Sequence, residues 1–174
     1  VRSDFVSIRV ASSVFDAQGN LWVTNVGVQE ELKRLSPQSN QWSSFDISSI
    51  KTNSANGLTE IIVDKSGTKW IGTRLTTSPN VGNLPDLNVR TVAVDESNRI
   101  WLGTKSGLSV YSNGSAVFDD NTPNARPIVI NANEDGFGDR LLGDQPVNSI
   151  VIDGADNKWF GTDNGGVIYT NPSG

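Results

Sequence analysis

Four stretches of this chain share one pattern, and that repetition limits the possible folds more than any other property of the sequence. Asp16, Asp64, Asp95 and Asp153 each stand six residues before a tryptophan: Trp22, Trp70, Trp101 and Trp159. Six residues before each aspartate lies Val10, Leu58, Val89 or Val147, and immediately before it Phe15, Val63, Val94 or Ile152. After the tryptophan come Val23, Ile71, Leu102 and Phe160, followed by Gly-Thr in three copies and Thr24-Asn25 in the first. Four of the 5 tryptophans occupy one repeat position, so the chain is an array of one supersecondary unit.

Each unit reads as a β-hairpin. The first arm, such as Val89-Arg90-Thr91-Val92-Ala93-Val94, is rich in β-branched residues, and Ile100-Trp101-Leu102-Gly103-Thr104 is the second. Between them the short aspartate carboxylate accepts bonds from nearby backbone N–H groups and opens a turn. Three residues further on stands Gly19, Gly67, Asn98 or Asp156, residue types that tolerate positive φ, as a type I turn with a following bulge requires. Asp-x-Ser-Gly also looks like the start of a calcium loop, but no copy carries the further oxygen ligands and closing glutamate of an EF-hand. The recurrent tryptophan could line a sugar-binding surface; the favoured reading is a wedge between stacked repeats, where burying an aromatic stabilises most. Apolar residues flank it, so the second arm is expected to be buried on both faces by stacked sheets. Asp16, Trp22, Asp64, Trp70, Asp95, Trp101, Asp153 and Trp159 are accordingly structural residues.

Composition narrows function by exclusion. The 174 residues carry a net charge of −5 with scattered cations, which argues against nucleic acid. No run of about 20 apolar residues offers a transmembrane helix, and the first residues lack the regions of a signal peptide. The count of methionine is 0, so a processed product or a fragment is expected. The count of cysteine is 0, which removes disulfides, zinc thiolate sites and thiol catalysis. The count of histidine is also 0, which removes the commonest general base and transition-metal ligand.

Along the chain, Phe5-Val6-Ser7-Ile8 reads as a strand of a preceding unit. Inner hairpins follow at 10–25, 58–73, 89–104 and 147–162. Third and fourth strands are expected at 31–35 and 41–45; a short helix over 29–35 is the weaker alternative. The third unit adds strands at 107–111 and 115–118, and the fourth a strand at 167–170. Tryptophan spacings of 48, 31 and 58 leave the second unit too short for four strands. Either that unit is reduced or residues are missing between Arg74 and Leu84, and the second explanation is preferred. Residues 119–146 form a long insertion rich in aspartate and glycine; its acidic segment, 134–144, is read as a solvated loop in preference to a calcium cage.

Four-stranded antiparallel units repeating at this interval predict an all-β protein, a β-propeller with about four blades present. The whole of 1–174 is expected to be one propeller domain or a propeller fragment, part of a larger ring. A β-helix is the lesser alternative. Residues 89–111, Val-x-x-Val-x-Val-Asp-x-x-Asn-x-Ile-Trp-Leu-Gly-Thr-x-x-Gly-Leu-x-x-Tyr, resemble the two-component-regulator propeller repeat of bacterial hybrid histidine kinases. Segments 83–89 and 151–162 are similar to those of PorZ-like propeller proteins of type IX secretion. The resemblance implies a non-enzymatic module of the periplasm or cell surface that binds a ligand, such as a glycan, or an envelope protein, with no cofactor and no metal. It fits either a ligand-sensing region or an accessory propeller of secretion. A propeller enzyme (lyase, lactonase or glycosidase) and a pure scaffold are the alternatives. Fold alone does not give function. In a propeller, the loops entering the innermost strand and leaving the second share one face, which singles out Glu60, Arg74, Asn88, Arg90, Lys105, Asn148, Asp163 and Asn164 as ligand-contact candidates.

Overall fold

The computed structural model describes residues 9–26, 28, 30–47, 58–73, 84–112, 125–130 and 138–172. Among these every regular element is a strand, and every pairing is antiparallel. Blade I has four strands in sequential order: β1 (Arg9–Phe15), β2 (Leu21–Val26), β3 (Leu32–Ser36) and β4 (Gln41–Phe45). The helix alternative over 29–35 is thereby set aside in favour of a strand. Blade II contributes β5 (Leu58–Val63) and β6 (Lys69–Thr73), and blade III β7 (Val89–Val94), β8 (Ile100–Thr104) and β9 (Gly107–Tyr111). A ribbon of β10 (Val129–Ile130) and β11 (Asp139–Arg140) lies in the long insertion. Blade IV contains β12 (Val147–Ile152), β13 (Lys158–Thr162) and β14 (Val167–Thr170).

Several expectations fall on residues outside this set: the strand at 5–8, the shortened stretch 74–83, the strand at 115–118 and residues 134–137 of the acidic segment 134–144. What the structure adds beside β9 is a bridge from the insertion, where Arg126 and Val110 exchange two backbone bonds of 2.9 Å. No described helix is long and apolar enough to cross a membrane.

All four hairpin turns are built alike. One oxygen of each aspartate accepts from the backbone N–H groups two and four residues on: Gln18 and Asn20, Ser66 and Thr68, Ser97 and Arg99, Ala155 and Asn157, all at 2.9–3.0 Å. The residue three places on has positive φ each time: Gly19 78°, Gly67 87°, Asn98 59° and Asp156 62°. The predicted turn is therefore present in every copy.

The aspartate's other oxygen accepts from the indole N–H of its own repeat's tryptophan, at 2.8 Å for Trp22, 2.9 Å for Trp70 and Trp101, and 3.3 Å for Trp159. The pair is one device. A buried indole needs an acceptor, a buried carboxylate needs donors, and the six-residue spacing lets each supply the other.

Between blades the same contacts recur. Trp22 shares a cluster with Ile61 and Ile71 of blade II, Trp70 packs against the Val89, Val92, Ile100 and Leu102 cluster of blade III, and Trp101 meets Phe160 of blade IV at 5.8 Å between centroids. The residue before the next tryptophan belongs to each of these junctions. It is Ile100 at one junction and a lysine at two, with Lys69 Nζ 4.7 Å from the Trp22 ring and Lys158 Nζ 5.7 Å from the Trp101 ring. Lys158 is 1% exposed, a cost met by Asp156 at 2.8 Å and Asp95 at 3.8 Å. The wedge reading thus holds where a following blade exists. Trp159, with no blade beyond it among the described residues, is 42% exposed, and β13 is correspondingly not buried on both faces.

Candidate functional site

The innermost strands carry the feature that builds the site. In each, the ladder register slips just after the first residue of the repeat: between Val10 and Ser12, Leu58 and Ile61, Val89 and Thr91, and Val147 and Ser149. Such a bulge leaves one residue unpaired and turns its side chain out of the sheet alternation. Ala11, Arg90 and Asn148 are the inserted residues, with Thr59 and Glu60 sharing that place in blade II.

Opposite the bulge stands the glycine of Gly-Thr. A Cβ on Gly103 would lie 2.5 Å from Thr91 Cγ2 and 2.8 Å from Val147 Cγ1, so the glycine admits both its own first strand and that of the next blade. The hydroxyl of Thr24, at the same position in blade I, instead donates to Thr59 O at 3.1 Å across the junction.

Four blades thereby direct side chains to one cavity of about 410 Å³, lined by Arg9 and Ala11 of β1, Thr59 and Glu60 of β5, Arg90 of β7 and Asn148 of β12. Arg90 donates to Asn148 Oδ1 and, at 3.2 Å, to Asp163 Oδ2; the Asn148 amide donates to the other Asp163 oxygen. Those bonds, Asn148 first and Arg90 second, hold the Asp163 carboxyl below its ordinary range. The triad is a cross-blade clamp that fixes a guanidinium at the channel mouth. Glu60 is partly committed elsewhere, because its Oε2 accepts from Val92 N at 2.8 Å in blade III. The same bond recurs one blade on, where Thr91 Oγ1 accepts from Ile150 N at 3.2 Å.

The structure therefore brings together Glu60, Arg90, Asn148 and Asp163. Asn88 and Lys105 form a separate corner: Lys105 N donates to Asn88 O at 3.0 Å, and Asn88 Oδ1 is buried without a donor among the described residues. Lys105 and Asn164 present exposed side chains, and Arg74 lies outside the described residues. The sequence reading missed Arg9, although it precedes Val10 as Asn88 precedes Val89 and the repeat alignment carries that signal. Among the described residues no group of three or more acidic side chains could hold a metal ion.

Four stacked antiparallel blades around a polar channel mouth define the class, a β-propeller. Residues 83–106 match the model of the two component regulator propeller family. Among solved structures the chain is similar to PorZ, a surface component of the type-IX secretion system of Porphyromonas gingivalis. The TM-score is 0.75 at 23% identity, over 94% of this chain and 26% of that one. It is similar also to the extracellular domain of the hybrid two component system BT3049 of B. thetaiotaomicron, with TM-score 0.58, 17% identity, and 94% and 22% coverage. Virginiamycin B lyase of Staphylococcus aureus shares the fold at TM-score 0.55 and 10% identity, over 93% of this chain and 55% of that one. No curated protein matches the sequence. The repeat at residues 83–106 thus matches the two-component-regulator propeller family, the fold is similar to that of PorZ, and the chain spans about a quarter of PorZ's length.

Proposed function

We propose that residues 1–174 act as one non-enzymatic binding module of the bacterial cell envelope, periplasmic or at the surface, whose channel mouth takes a polar ligand, such as a glycan, or a loop of an envelope protein. The observation that supports this most is the convergence of four bulged strands on one cavity, with Arg90 held by Asn148 and Asp163. A guanidinium fixed by a carboxylate and an amide keeps directional N–H groups in place before a ligand arrives, which reduces the ordering cost of binding. The cavity holds charges of both signs, Arg9 and Arg90 beside Glu60, which suits a hydroxyl-rich or mixed-charge partner more than a purely anionic one.

Binding is favoured over catalysis by the chemistry available. The lyase that shares the fold has a catalytically inactive form in which one histidine is replaced, whereas this chain contains 0 histidines. The test is a glycan array and an envelope-extract pull-down with the 174-residue chain and its Arg90→Ala variant. Capture by the parent that falls at least tenfold in the variant is expected. No capture by the parent in either assay, or equal capture by both proteins, would overturn the proposal.

A further inference from the structure

Glu60 and Arg90 line one cavity with Arg9, and no ion pair joins the carboxylate to either guanidinium. Opposite charges facing a half-buried space attract one another strongly, because little water screens them. Here they stay apart because each is tethered to the blade that follows it. Glu60 Oε2 accepts from Val92 N of blade III at 2.8 Å. Arg90 Nη1 donates to Asn148 and, at 3.2 Å, to Asp163 of blade IV. Blades II and III each have a described blade on both sides, so the arrangement belongs to the interior of the array.

The tethers use one oxygen of the carboxylate and one nitrogen of the guanidinium. Glu60 Oε1 and Arg90 Nε and Nη2 keep no partner among the described residues. Arg9, on the same cavity, makes no hydrogen bond or ion pair among them either. The charges of the two arginines are matched by those of Glu60 and Asp163, so no positive excess singles out a purely anionic ligand. What the cavity offers is one free acceptor of negative charge beside free donors of positive charge.

We infer, on the reading of this channel mouth as a binding site, that its ligand is a zwitterion whose ammonium meets Glu60 Oε1 and whose carboxylate meets Arg90 and Arg9. A free α-amino acid and a short peptide with both ends free share this chemistry. An ammonium brings three donors to the unpaired carboxylate oxygen, and a carboxylate takes two parallel bonds from a guanidinium. The tethers hold Glu60 and Arg90 in place before the ligand arrives, so little side-chain ordering opposes binding. The volume of about 410 Å³ lies at the small end of the roughly 300–1,000 Å³ range of ligand pockets, as a ligand of this size requires.

The test is NMR titration of the full chain with alanine, dialanine, N-acetyl-dialanine and dialanine amide, followed at the Val92 backbone N–H and the Asn148 side-chain amide. Alanine or dialanine is expected to shift these signals saturably, and the tighter of the two identifies the source as amino acid or peptide. The two blocked peptides, each lacking one charge, are expected to bind at least tenfold more weakly. Glu60→Gln keeps an acceptor for Val92 N and should weaken the tighter probe at least tenfold with an unchanged far-UV spectrum. No saturable shift with alanine or dialanine overturns the inference, as does equal binding by the blocked peptides or by the Glu60→Gln chain. Such a failure with Arg90-dependent capture intact on the array or in the pull-down strikes the ligand class alone. Failure of both strikes the binding reading as well.

Discussion

Asp95→Ala removes more from this protein than one side chain, and the structure gives the size of the loss. The carboxylate accepts from Ser97 N and Arg99 N in the turn, from Trp101 Nε1 and from the Arg99 side chain, and it faces Lys158 Nζ at 3.8 Å. Asp95 is 2% exposed, Trp101 5% and Lys158 1%, so water does not replace the lost acceptor. Each orphaned buried donor costs roughly 1–3 kcal/mol, and removing one partner of a buried ion pair about 3–5 kcal/mol. These terms overlap, and Asp156 still faces Lys158, so the expected loss is about 4 kcal/mol, a large part of a domain stability of roughly 5–15 kcal/mol. Asp153→Ala breaks the corresponding turn and indole bonds in blade IV, but there Trp159 is 42% exposed and solvent supplies an acceptor, so a much smaller loss is expected. Urea denaturation of both variants, followed by circular dichroism, gives the two differences directly. Equal losses at Asp95 and Asp153 would refute the reasoning, because the aspartate would then act only through its turn.

Acid should destabilise the protein from a known starting point. Asp16 and Asp153 each have their carboxyl lowered from 3.8 to about 2; burial opposes this at Asp16, but the bonds from Trp22, Asn20 and Gln18 outweigh it, while at Asp153 the Asn157 bonds lead. A depressed carboxylate contributes stability that is complete above about pH 4 and is lost as pH falls through about 2, so the urea midpoint should be level from pH 7 to about 4.5 and then drop. A midpoint that rises on acidification would contradict this. Gly103→Ala should cost about 1–3 kcal/mol by overpacking, whereas Gly154→Ala, with nothing within 4 Å of the added methyl, should change stability by less than about 0.5 kcal/mol in the same assay. Asn148→Leu should leave Arg90 held by Asp163 alone and return the Asp163 carboxyl toward its ordinary range, read by carbon-detected NMR titration, while the melting temperature moves by less than about 2 °C.

The repeat made the hairpins legible because residues of one type recur at one spacing: the turn aspartate, the positive-φ residue three places on and the tryptophan all stand where the sequence reading puts them. The Asp–Trp bond was present in the same spacing, but the reading explained each residue separately, the first as a turn former and the second as a wedge. Lys158 was not legible as a buried residue, nor Lys69 as one packed on the Trp22 ring. A lysine among apolar neighbours enters the core only when a carboxylate or an indole from another blade meets it, and such cross-blade partners lie 47–63 residues away. The site was half legible for a related reason. Arg90 and Asn148 were found as residues of the loops entering the innermost strands, whereas both lie within those strands, and their convergence with Asp163 depends on the bulge that re-aims them. Nothing in the local pattern of Val89-Arg90-Thr91 marks a register slip.

Each repeat tryptophan is tied to its aspartate, and those of the first three blades are covered by the blade that follows. Indole N–H hydrogen exchange, measured by NMR on the signals of the 5 tryptophans, tests this arrangement most directly. The indoles of Trp22, Trp70 and Trp101 should exchange slowly, while Trp42 and Trp159, at 56% and 42% exposure, should exchange far faster. A Trp159 signal as protected as that of Trp101, or a Trp101 signal exchanging at the rate of a free indole, would contradict the stacking on which the whole description depends.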